Sequence, residues 1–358
     1  MSPPSLAPAR WVLAVLVLCQ GISLVPAGGG GSPWTYAGPH GQDHWPDTYP
    51  DCGGTAQSPI DIQSSDVEYE PSLPPIQPEG YRSPEDPLFM LSNNGHTVEM
   101  SLSETMFLHG LPRRYNAVQL HLHWGSRSRP LGSEHQLDGQ KFPAELHIVH
   151  FNSERYANVS QAKNKPDGLA VLGILIEAGE IVNEAYENIL KYLSKVKFAG
   201  EKISIPSFNV LQLLPEKLDQ FYRYRGSLTT PPCHQSVLWT VFHQKVQLSK
   251  SQLENLQGAL HSTGPESSPI PLVENFRTTQ TLNQRTVYSS FPVGSTFTYS
   301  AGEVVAIVFG ILFGFLGLFF AVHVITKSIR ASKRTGQKDI VLKSSSALPS
   351  EQDSSANI

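Results

Sequence analysis

Gln119-Leu120-His121-Leu122-His123-Trp124-Gly125 is the stretch from which the architecture can be read. Side chains of a strand alternate between its faces, so His121 and His123 project from one face and Leu122 from the other. Alone, the pair is weak evidence for a metal, because a half-exposed strand can carry two polar residues there. A second strand-like run, Ala144-Glu145-Leu146-His147-Ile148-Val149-His150, supplies His147 on the face shared by Glu145 and Val149. If the two strands are neighbours, three imidazoles converge. Three neutral imidazoles leave the fourth tetrahedral position of zinc open, as in catalytic sites, where the metal acts as a Lewis acid. Cupin-type barrels also use a His-x-His strand, but with a carboxylate shortly after it; here Glu134 follows His123 by eleven residues, and the spacing does not match.

The surrounding chain reads as a β-rich domain. From about Gly28 to Pro292 there is no internal repeat or long linker, and Gly and Pro, 28 of each in the chain, punctuate many short segments. Gln119–Trp124 and Ala144–Phe151 alternate as strands do, whereas Glu184–Leu193 and Ser249–Leu260 have helical spacing. The 358 residues thus hold one large domain with peripheral helices rather than two average ones. With 40% hydrophobic and 16% charged residues and a formal charge of -4, nothing points to a nucleic-acid partner.

The ends place this domain. Residues 1–27 read as a secretory signal: Arg10 precedes the apolar run Trp11–Leu18, and small residues near Ala27 offer a cleavage site. Cys19 falls inside that segment, leaving Cys52 and Cys233, which either pair across a loop of about 180 residues or stay as buried thiols. After a stalk at 293–303, residues 304–326 are apolar and long enough to cross a bilayer. Lys327, Arg330, Lys333, Arg334 and Lys338 mark the cytoplasmic side of a tail at 327–358, too short and polar to fold alone, so the domain at 28–292 lies outside. Gly310, Gly314 and Gly317 give the span a small-residue face on which a homodimer could form.

The ordered set Trp34-Thr-Tyr36, Gln57-Ser-Pro-Ile-Asp61, Ser92-Asn-Asn-Gly-His96, the His121/His123 strand, Gly132-Ser-Glu-His135, Ala144–His150, Gly168-Leu-Ala-Val-Leu-Gly173, Gly226-Ser-Leu-Thr-Thr-Pro-Pro232 and Asn275-Phe-Arg277 resembles the α-class carbonic anhydrases over nearly all of the domain. The resemblance implies a β-rich α+β fold: one large central, mostly antiparallel twisted sheet with peripheral helices, here joined to one transmembrane helix. It implies a zinc enzyme that interconverts carbon dioxide and bicarbonate. Its ligands would be His121, His123 and His147, supported by Gln119, Glu145 and the carbonyl of Asn275. Thr229 would orient zinc hydroxide with Glu134 as its partner, and His96 would shuttle protons. Val149, Val171, Leu228, Val237 and Trp239 would line the carbon dioxide pocket, with Thr229 and Thr230 beside bicarbonate. Glu99, three residues past His96, departs from the neutral polar residue usual in soluble members. A signal, one Cys52/Cys233 pair and a carboxyl-terminal span resemble the transmembrane subgroup, which implies a single-pass type I protein of the plasma membrane. Asn158 opens an Asn-Val-Ser160 glycosylation sequon. The rival reading is an inactive binding or adhesion module on the same fold, whose members lack one or more zinc histidines.

Overall fold

The computed structural model describes residues 34–293 and 301–345. The segment assigned to the secretory signal, most of the stalk and the end of the tail lie outside the described residues. Met1–Val293 and Gly294–Ile358 form separate units.

The first unit is built on a 13-stranded sheet. Its main strands are β1 (Leu88–Asn93), β2 (Val98–Ser101), β3 (Tyr115–Trp124), β4 (Ala144–Asn152), β5 (Leu169–Gly179), β6 (Lys202–Pro206), β7 (Phe221–Gly226), β8 (Val237–Phe242) and β9 (Val246–Ser249). Across the sheet they run β6-β1-β2-β3-β4-β5-β8-β7, with β9 also pairing to β5. Most neighbours are antiparallel; β5 pairs parallel with β8 and β9.

Alternation sorts the central strands into two apolar layers. Leu120, Leu122, Leu146, Ile148, Leu172 and Ile174 face one core, and Val149, Val171, Val237 and Trp239 the other. Every residue of β4 is buried, because both faces of that strand are covered. Five of its nine residues are apolar, and the four polar ones, Glu145, His147, His150 and Asn152, are buried with them.

The helices are peripheral and short. α1 (Glu184–Leu190) starts at Asn183, whose side chain accepts from the amides of Ala185 and Tyr186; it stops before the predicted Leu193, which opens a 3-10 turn instead. α2 (Lys250–Gly258) begins with a capping box between Ser249 and Gln252. One disulfide joins Cys52 to Cys233.

The second unit is α3 (Ala301–Ser345). Its apolar part, Val305–Ala331, has mean hydropathy 2.7 and is long enough to cross a membrane. The helix runs on past Thr326 to Ser345, into the tail whose shortness and polarity predict that it does not fold alone. Lys, Arg, Gln and Ala are good helix formers, and the first proline beyond the span is Pro349.

Candidate metal centre

β3 and β4 are antiparallel neighbours, and their register sets His121 opposite His147 and His123 opposite Glu145. The three imidazoles therefore share one face. Ligand atoms of His121, His123 and His147 all lie within 4.8 Å of one another.

Each ring is fixed by an acceptor on its far side. His121 Nδ1 lies 2.8 Å from Gln119 Oε1, His123 Nδ1 2.7 Å from the Asn275 carbonyl, and His147 Nε2 2.7 Å from Glu145 Oε1. None of these oxygens has a proton to give, so each ring donates there and carries a lone pair on its other nitrogen. Burial holds the His121 and His123 pKa values below the ordinary range, which keeps both rings neutral.

His123 Nε2 and His147 Nδ1 are 3.1 Å apart. Two lone pairs facing each other at that distance repel, and a cation between them removes the conflict. Tetrahedral zinc, with bonds of about 2.0–2.1 Å, needs ligand nitrogens about 3.3 Å apart. The donor set and its spacing fit zinc.

The comparisons with known proteins agree with this site. A family model described as eukaryotic-type carbonic anhydrase matches residues 40–291. Carbonic anhydrase 12 of Homo sapiens is 44% identical over 97% of this chain and 98% of its own length. The chain belongs to the eukaryotic-type carbonic anhydrase family. Carbonic anhydrase 6 of Bos taurus is 40% identical over 75% of this chain and 84% of its own length, and carbonic anhydrase 1 of Mus musculus is 37% identical over 72% and 98%.

In this carbonic anhydrase Glu145 is the most heavily bonded carboxylate of the site. Its Oε2 accepts from the amides of Glu134 and His135, and its Oε1 accepts from His135 Nδ1 and His147 Nε2. Burial pushes its pKa up, but His135 and His147 outweigh that and hold it well below the usual range. A second cluster, His135, Glu145 and His147, could also hold a metal by distance. The four bonds to Glu145 occupy the atoms it would need. His135 is a residue the motif reading left without a role; it links Glu145 to the Tyr224 hydroxyl at 2.7 Å, and Tyr224 donates on to Ser58.

The structure also places the remaining candidates. Val149, Val171, Val237 and Trp239 form one buried cluster with Leu228 packed against it, and the Trp239 ring lies 4.8 Å from that of His147. Thr229 is buried and Thr230 half-buried. Glu134 Oε1 accepts from the Arg277 amide, but its buried Oε2 has no hydrogen-bond partner and lies 3.5 Å from His123 Nε2. A Thr229–Glu134 hydrogen bond is therefore not formed here. His96 stacks on Trp34 with ring centres 3.8 Å apart, and burial lowers its pKa. Glu99 pairs across the sheet with His121. Burial raises its pKa.

Two side chains of the Asn275-Phe-Arg277 motif make further contacts that the sequence reading did not assign. The Asn275 side chain accepts from the Trp124 amide and donates to the carbonyls of Leu122 and His96, tying the histidine strand to the His96 turn. The Arg277 guanidinium donates to Gln57, Ser58 and Cys52, tying the disulfide to the segment that holds Glu134.

Proposed function

We propose that the chain hydrates carbon dioxide reversibly to bicarbonate and a proton at the outer face of the plasma membrane, with zinc held by His121, His123 and His147. The observation that carries this reading is the set of three lone pairs converging from rings whose opposite nitrogens are all tied to oxygen acceptors. An inactive module would have no need of them. When bound, zinc supplies Lewis acidity that makes water a nucleophile near neutral pH.

The chain's own residues do the rest. The apolar wall of Val149, Val171, Leu228, Val237 and Trp239 suits carbon dioxide, which carries no net charge. The unpartnered Glu134 Oε2 is a ready acceptor for the Thr229 hydroxyl, whose lone pair then orients the attacking water, while Thr230 flanks the product. Hydration releases one proton per bicarbonate. His96, with a pKa below its ordinary 6.5, can take that proton and pass it to solvent.

The span anchors the domain, and the basic residues from Lys327 onward hold its carboxyl-terminal end in the cytoplasm. Asn158 is exposed and caps a short helix through its Oδ1, which leaves Nδ2 available for a glycan. Gly310, Gly314 and Gly317 are the face through which two spans could meet. Chelation of the purified chain should abolish carbon dioxide hydration, and added zinc should restore it. A rate that survives complete removal of metal overturns the reading.

A further inference from the structure

Arg223 lies in the middle of β7 and is only 5% exposed. Tyr224 beside it points to the histidine face, where it meets His135. Alternation therefore turns Arg223 to the opposite face, next to its cross-strand partner Thr240. Its Nε donates to Thr240 Oγ1 at 3.0 Å, and its Cζ lies 4.7 Å from the centre of the Phe221 ring. Its Nη2 is buried with no hydrogen-bond partner.

No carboxylate answers this charge. The arginines in ion pairs among the described residues are Arg113, Arg129 and Arg155. Along the sheet register Arg223 faces Tyr288, and Tyr288 faces Glu68, an exposed residue two strands and about 10 Å away. Burial lowers the Arg223 pKa to about 10, so the group is still a cation at neutral pH. Besides burial, the titratable group that acts on Arg223 is Tyr115. Burial and Asp167 raise the Tyr115 pKa, while Arg225, Arg223 and Arg113 all lie close enough to oppose them.

A buried guanidinium without a counterion is a costly arrangement, and its cost falls when an anion binds. We propose that Arg223 forms the floor of a second site, on the sheet face opposite the histidine cluster, for a small planar oxyanion with a carboxylate edge, either bicarbonate or a carboxylate. Thr240 holds Nε and Phe221 flanks the guanidinium, which leaves the Nη1/Nη2 fork to make paired bonds to two oxygens. A halide would meet that fork with one atom and gain no bidentate geometry.

The test is calorimetric titration of the full chain in detergent, as purified, with sodium bicarbonate, sodium acetate or sodium chloride at constant ionic strength. Wild type should take up one more oxyanion than Arg223→Met, and at that extra site chloride should bind at least tenfold more weakly. Arg223→Lys, which keeps the charge and loses the fork, should lose the preference over chloride. Bicarbonate bound more tightly than acetate assigns the site to the reaction product; acetate bound more tightly assigns it to a carboxylate side chain. Arg223→Met should keep carbon dioxide hydration, and added bicarbonate or acetate should raise the melting temperature of wild type by more than that of Arg223→Met. Identical isotherms for wild type and Arg223→Met overturn the proposal. So does an equal rise in melting temperature for wild type and Arg223→Met when bicarbonate or acetate is added.

Discussion

Glu145→Gln is the substitution whose outcome follows most directly from the geometry. It changes one atom, yet each carboxylate oxygen accepts from two donors: Oε2 from the amides of Glu134 and His135, Oε1 from His135 Nδ1 and His147 Nε2. An amide side chain can accept with its oxygen, but its NH2 must point at one of the two donor pairs. If it faces the backbone amides, two buried N–H groups lose their acceptor at about 1–3 kcal/mol each, or about 2–6 kcal/mol together. If it faces the rings, His147 must move its proton to Nδ1 and gives up the lone pair aimed at His123. Loss of such a support typically weakens metal binding about 10–100-fold, equivalent to about 1.4–2.7 kcal/mol. Chemical denaturation measures the first outcome and zinc competition against a chelator the second. A Glu145→Gln variant with wild-type stability and wild-type zinc affinity would refute the reasoning. The carboxylate also sets a pH dependence. Its folded pKa lies below the ordinary value, so the stability it contributes is complete above the unfolded pKa of about 4.3 and declines as pH falls through the folded one.

Further outcomes follow from individual contacts. The His96 ring should titrate below pH 6.5 by NMR, and Trp34→Ala, which uncovers the ring, should move the midpoint upward; an unmoved midpoint would remove burial as the cause. A Cβ at Gly173 would lie 3.2 Å from Glu145 Oε1 and 3.4 Å from Val241 Cγ2, so Gly173→Ala should destabilise the fold by about 1–3 kcal/mol in denaturant titrations. An alanine variant as stable as wild type would show that this contact relaxes freely. Opening the Cys52–Cys233 bond should cost up to about 5 kcal/mol, since it closes a loop spanning 181 positions. Unchanged melting after reduction would contradict that.

Much of the site is legible in the sequence because it rests on strand alternation. His121 and His123 share a face by spacing alone, and a neighbouring strand was the simplest way to bring in His147. The β-rich class followed from short, punctuated alternating runs. Other features depend on contacts between distant segments and leave no local period. Asn275 reaches β3 across 151 positions, and Arg277 reaches Cys52 across 225. His135 lies inside the Gly132–His135 motif, but its role rests on contacts with Glu145 and, 89 positions away, Tyr224. Arg223 belongs to none of the motifs; only the full sheet shows that no carboxylate stands opposite it. The end of α1 at Leu190 and the run of α3 past Thr326 reflect how weakly helix ends are marked when polar helix formers continue the chain.

The central claim is that three imidazoles hold the metal and leave one position open. X-ray absorption on the zinc-loaded chain counts imidazole ligands directly. The account predicts three, at about 2.0–2.1 Å, with one further light-atom ligand. Two imidazoles with a carboxylate, the set offered by His135, Glu145 and His147, would contradict it.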